Sequence, residues 1–150
     1  MTKHNLAQAL KVLLADSYAL YLKTHNYHWN VEGKRFVELH TFFEVQYTEL
    51  AMAVDAIAET IRMLGEKAPG SFRKYMELTS IKDGDESASA CQMVSDLAAD
   101  QGLVMNSIEA GLKIAKELED EATIGLLAER LAVHRKAEWM LRSSATGCEK

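Results

Sequence analysis

Four residues within one stretch of the chain have the chemistry of a metal site: His28, His40, Asp55 and Glu59. Imidazole nitrogens combined with carboxylate oxygens form a donor set suited to divalent iron, zinc or manganese. Reach limits how the four can meet. Gly33 marks a turn between two long amphipathic segments, so His28 and His40 fall at similar heights on two antiparallel helices and can approach within one chain. His40 and Asp55 cannot, because fifteen helical residues at ~1.5 Å each separate them by about 22 Å. Either the four are two unrelated pairs, or a second subunit completes the site. A two-fold axis near Tyr47 or Thr48 would set His40 beside the partner's Asp55 and, by symmetry, generate two identical sites.

Plainer readings stand beside this one. Asp55 and Glu59 are spaced i, i+4, which also describes a solvated acidic face, and Arg62 lies near enough to Glu59 to be its ion-pair partner. The His40–Glu44 pair carries the same ambiguity. His25 precedes His28 by three residues and either shares its metal or is there by chance. His134 and Glu138 lack a third ligand and read as structural or surface residues, and His4 as exposed.

The elements that must position these residues follow from apolar periodicity. A first helix over about 3–31 carries Leu6, Leu10, Leu13, Leu14, Ser17, Tyr21 and Thr24 on the face that continues to His28. A second over about 35–64 buries Phe36, Leu39, Phe43, Tyr47, Leu50, Val54, Ile57, Ile61 and Leu64, and stops at Gly65. A second stripe of His40, Glu44, Ala51, Asp55 and Glu59 lies about 100° around the same helix. One apolar face and one face of ligand-type residues describe a helix wedged between its own bundle and another subunit. A connection of some twenty residues follows, too long for adjacent helices and suited to a crossover spanning the bundle, with a short helix over 71–78. The third helix is expected at about 87–118, starting near Glu86 or Ser87, with Val94, Leu97, Val104, Ile108, Ala115 and Leu118 inward. The fourth runs over about 121–144, with Ile124, Leu127, Leu131 and Leu141 inward. The fold class is all-α: a ferritin-like four-helix bundle with one long crossover between the second and third helices.

Length and composition agree. A chain of 150 residues, 48% hydrophobic and 26% charged, is expected to form one domain over 1–150 with a core of its own. The single proline leaves long helices unbroken. A net charge of −5 argues against indiscriminate attraction to nucleic acid or anionic membrane, and no apolar run approaches a membrane span. The start of the chain lacks an apolar signal region. Cys91 and Cys148 have neither metal nor redox spacing and read as isolated thiols suited to a reducing cytoplasm. Ordinary ferritin-like di-iron centres use Glu-x-x-His motifs facing one bundle core, and this chain has none, which favours a site between subunits.

HNYHWNVEG (25–33), FVELHTFFEVQY (36–47) and DAIAETIRMLG (55–65) resemble the mini-ferritins called Dps, for DNA protection during starvation. KAPGSFRKYMELTSI (67–81) and ERLAVHRKAEWMLRS (129–143) are similar to that family too, so the likeness covers essentially the whole chain. The resemblance implies a hollow homo-oligomer of twelve subunits, with iron-oxidising centres at two-fold interfaces. In these, His28 and His40 come from one chain, Asp55 and Glu59 from its mate, and Glu44 is a weaker ligand. It implies Fe(II) oxidised with hydrogen peroxide, or more slowly with oxygen, and Fe(III) stored inside. It places Glu119, Asp120 and Glu121 at three-fold pores, and Trp29 beside the site as an electron donor or a packing residue. The alternative is a nucleoid-compacting cage that binds DNA. Relatives that bind DNA directly commonly use a lysine-rich tail, and this sequence has almost none, so weak or absent DNA binding is expected.

Overall fold

The computed structural model describes residues 1–148, which form five helices: α1 (Lys3–Asn30), α2 (Phe36–Met63), α3 (Phe72–Leu78), α4 (Ala90–Glu117) and α5 (Glu121–Ala145). Each start has a local chemical reason. Thr2 accepts from the Asn5 amide while the Asn5 side chain accepts from the Thr2 amide, a reciprocal capping box. Ser71, Ser89 and Asp120 cap α3, α4 and α5 through side-chain oxygens. Gly33 at φ +116° and Gly65 at φ +91° hold left-handed conformations just before α2 and just after it, which a residue with a Cβ adopts only under strain.

The long helices pair as antiparallel hairpins, α1 with α2 and α4 with α5, while α3 lies against α1 within the crossover. Leu6, Leu10, Leu13, Leu14 and Leu20 of α1 meet Leu39, Phe43, Leu50, Ile57 and Ile61 of α2. Met93, Val94, Leu97, Val104 and Ile108 of α4, with Leu127 and Leu141 of α5, complete one apolar core. Tyr27 is the largest of the buried side chains; its hydroxyl donates to Asp96 at 2.9 Å. Burial, and then that bond, raise the phenol above its ordinary pKa. The crossover presses close here: a Cβ on Gly84 would lie 2.9 Å from the Tyr27 ring.

Asp16 pins the crossover. Although fully buried, its carboxylate accepts from Thr79 Oγ1 at 2.6 Å, the Ser80 amide at 3.0 Å and Ser107 Oγ at 2.5 Å. One side chain of α1 thereby ties the end of α3 to the middle of α4.

Three expectations need correcting. Phe36 is exposed and Tyr47 only half-buried; Leu39, Phe43, Leu50, Ile57 and Ile61 are buried as expected, Val54 and Leu64 pack half-buried against them, and Ala53 joins the stripe. The helix expected from about residue 87 begins at Ala90, since the Ser87 amide donates to Asp85 Oδ1 and the Ala88 amide to the Asp85 carbonyl, committing those residues to a turn. The cysteines are not isolated: Cys91 and Cys148 form a disulfide with Cα atoms 5.5 Å apart. Folding brings them together because α4 begins and α5 ends at the same end of the bundle.

Candidate metal centre

The last turn of α1 and the second turn of α2 carry His28 and His40, which face one another across the Gly33 turn. Their rings stack with centroids 3.8 Å apart and planes inclined by 15°. Each Nδ1 donates to the other residue's backbone carbonyl, both at 2.7 Å. A carbonyl oxygen only accepts, so each Nδ1 bears the proton. With Nδ1 so engaged, Nε2 is the nitrogen of each ring left to bind a metal. The His28 carbonyl lies in the last turn of α1, where helical acceptors lack partners, so His40 also caps that helix. His28 is buried and His40 half-buried, which fixes both rings while leaving one edge approachable.

Glu44, one turn beyond His40, brings a carboxylate to the pair: one ligand atom from each of His28, His40 and Glu44 lies within 4.8 Å of the other two. Two imidazoles and an exposed carboxylate fit a divalent first-row ion and leave coordination positions open. Asp55 and Glu59 stand on α2, both exposed, and the single chain does not bring them to this trio. Among the described residues, neither Glu59 nor Arg62 makes an ion pair.

His25 is not among the residues whose ligand atoms converge. Its ring lies between Trp29, with centroids 3.9 Å apart, and Tyr47 at 4.2 Å, and burial followed by His28 lowers its pKa. Tyr47 also stands edge-on to His28 at 5.1 Å, and Phe36 stacks on His40 at 5.1 Å. This aromatic collar was missed in reading the sequence. Its signal was present in the spacing of Tyr21, His25 and His28 at i, i+4 and i+7, which places all three on one helical face.

The other candidate residues sort differently. His134 is structural: its Nδ1 contacts Gln101 Oε1 at 2.7 Å, and its Nε2 accepts from Arg130 at 2.9 Å. Burial, reinforced by the Arg130 charge, pulls its pKa down to about 3. Arg130 in turn binds Glu49 through both guanidinium ends. Together with the buried Lys23–Asp100 pair at 2.8 Å, this network fills the middle of the bundle with internally paired charges. Glu138 pairs with Arg142 at 3.4 Å, and the exposed His4 with Glu66 at 2.7 Å. Glu119 and Glu121 are exposed at the α4–α5 connection, whereas the Asp120 carboxylate accepts from the Thr123 amide and hydroxyl as the cap of α5. No helix is long and apolar enough to cross a membrane among the described residues.

Comparison with known proteins now adds to this geometry. Residues 7–150 match the model of the ferritin-like domain family. The chain is 36% identical over 139 residues to DNA protection during starvation protein 2 of Bacillus anthracis, covering 91% of this chain and 95% of that one. It superposes with a TM-score of 0.91 on the Dps protein of Vibrio cholerae, described as a member of a broad superfamily of ferritin-like diiron-carboxylate proteins. That pair is 33% identical over 94% of this chain and 89% of the other. The Dps protein of Bacillus brevis gives the same TM-score and identity over 95% and 98% of the two chains. A fold, a full-length sequence likeness and a histidine pair at the hinge of the first hairpin converge: this chain belongs to the Dps family of ferritin-like proteins.

Proposed function

We propose that this protein is a ferroxidase and iron-storage mini-ferritin whose sites lie between subunits. The observation that carries the reading is the mutual clamp of His28 and His40, which presents two Nε2 donors beside Glu44, while the remaining carboxylates of that helical face lie too far along the rod to join them. A second copy related by a two-fold axis near Tyr47 or Thr48 supplies the partner's Asp55 and the partner's Glu59, giving two sites per dimer. Twelve such chains close into a hollow shell, with residues 1–150 as one domain in each. Glu119, Asp120 and Glu121 line three-fold pores and draw cations inward by their negative potential.

Fe(II) is the substrate. The imidazoles and carboxylates bind it with few protein ligands, which suits transient occupancy. Two ferrous ions each give one electron to hydrogen peroxide, the preferred oxidant over oxygen. The O–O bond breaks and both oxygens leave at the level of water, so no hydroxyl radical is released. Fe(III) then hydrolyses and mineralises in the cavity. Removal of ferrous iron and peroxide together protects DNA and the cell from oxidative damage, and the place of action is the cytoplasm.

Stopped-flow absorbance of Fe(III) after mixing Fe(II) and peroxide tests the assignment. The variant combining His28→Ala with Asp55→Ala loses the rapid phase while light scattering still reports an assembled shell. An unchanged rate removes the ligand assignment. Direct DNA compaction has less support, because a net charge of −5 offers little counterion release. A gel shift at neutral pH and low salt is expected to show weak binding or none.

A further inference from the structure

Cys91 and Cys148 play no part in the metal centre, yet they are bonded to one another across a sequence separation of 57 residues. Their settings differ in a chemically useful way. Cys91 is the second residue of α4, directly inside the Ser89 cap. Ser89 takes the Gln92 and Met93 amides, and the positive end of the helix dipole lies at the Cys91 position, a setting that suits an attacking sulfur. Cys148 lies just beyond α5, where its amide donates to the Ala145 carbonyl at 3.0 Å. Both residues are half-buried in the single chain. In a reducing compartment, a bond of this kind forms on demand instead of serving as a permanent brace.

We propose that Cys91 and Cys148 are a peroxide-responsive dithiol–disulfide pair, in which Cys91 attacks and Cys148 resolves. The Cys91 thiolate attacks one peroxide oxygen, the O–O bond breaks, and the departing hydroxide takes a proton to leave as water. Cys91 is then a sulfenic acid. The Cys148 thiolate attacks its sulfur, the S–O bond breaks, and a second water leaves. One peroxide is reduced to two waters, and two thiols are oxidised to the disulfide. A low-molecular-weight thiol reverses the step by exchange.

The bond also has a structural consequence near the metal centre. It anchors the chain just after α5 to the start of α4. The neighbouring Ser144 carbonyl accepts from Arg35 Nη1 at 2.7 Å, and Arg35 immediately precedes α2, the helix that carries His40. Oxidation thus fastens the end of the bundle where His28 and His40 sit. The pair shares its oxidant with the proposed ferroxidase but does not need iron.

The test uses reduced, iron-free, full-length protein treated with hydrogen peroxide, followed by thiol counting, intact mass and dimedone trapping. In the unmodified chain, both thiols disappear together and the subunit mass falls by two hydrogens, with no link between subunits. Cys148→Ser accumulates a dimedone adduct at Cys91. Cys91→Ser slows thiol loss by about 10-fold or more. The His28→Ala plus Asp55→Ala background responds like the unmodified chain, so failure of the ferroxidase reading leaves this result standing. Equal rates for the two single-cysteine variants, cross-linking between subunits, or thiol loss that requires His28 and Asp55 would each overturn the proposal.

Discussion

His28 and His40 hold each other in place, each ring donating from Nδ1 to the other's backbone carbonyl at 2.7 Å. Neither ring is positioned independently, so removing one disturbs both. His40→Ala deletes one proposed metal ligand, frees the His28 ring from its stack and leaves the His28 carbonyl without its donor. Fe(II) affinity is expected to fall by at least the roughly 10–100-fold that loss of an outer partner alone costs. Stability drops by about 1–3 kcal/mol from the orphaned polar group. Titration calorimetry with Fe(II) under anaerobic conditions and a urea midpoint read the two effects. Full affinity in His40→Ala would sink the clamp.

Acid should loosen the molecule through a residue remote from that clamp. His134 is buried between Gln101 and Arg130, with its pKa lowered to about 3 from an ordinary 6.5. Between those values the unfolded chain binds a proton that the folded chain refuses, so stability falls as pH drops below about 6.5. The slope approaches but does not exceed about 1.4 kcal/mol per pH unit. Chemical denaturation at pH 7, 6 and 5 measures it. His134→Gln cannot take up a proton there, so it flattens the slope contributed by this site even if it costs stability at pH 7. An identical slope in the variant would assign the acid sensitivity elsewhere.

Much of this was readable from residue types and spacing because it depends on local rules. The bounds of α1, α2 and α5 follow from apolar periodicity, and Gly33 and Gly65 mark their ends by backbone geometry that only glycine adopts freely. The facing of His28 and His40 required nothing beyond one tight turn. What escaped depends on tertiary contacts between distant segments. Nothing near Cys91 or Cys148 announces the other, since the start of α4 and the end of α5 meet only after the hairpin folds. Phe36 belongs to an apolar stripe by count, yet the helix rotates enough to leave it beside His40 instead of inside. Ser87 and Ser89 are equally plausible caps by type, and the choice falls to Asp85, which draws the Ser87 amide into a turn.

The crossover depends on Asp16 to a degree that its single charge does not suggest. Three donors from α3's end and from α4 converge on one fully buried carboxylate. Asp16→Ala removes the shared acceptor of two hydroxyls and one amide and is expected to cost about 1–3 kcal/mol for each donor left buried and unpaired. Asp16→Asn keeps the shape and one acceptor oxygen, so the loss is smaller. Hydrogen exchange at Ser80 and Ile81 rises in both variants, more in the alanine form, before the helical hairpins open. Equal protection in Asp16→Ala and the unmodified chain would remove Asp16 as the pin.

The proposed division of ligands between chains makes a prediction that no single-chain site shares. His28→Ala disables the imidazole half contributed by each subunit, and Asp55→Ala disables the carboxylate half. Each variant on its own is therefore expected to be inactive in rapid Fe(II) oxidation. In a dimer containing one subunit of each kind, one site loses both halves, while the other joins an intact His28 to an intact Asp55. Random mixing makes half of the dimers mixed, each with one working site of two, so about a quarter of full activity returns. The two variants are dissociated, mixed and reassembled, and their initial oxidation rate is compared with that of separately reassembled controls. If both ligands served within a single chain, every site would carry one lesion and mixing would restore nothing.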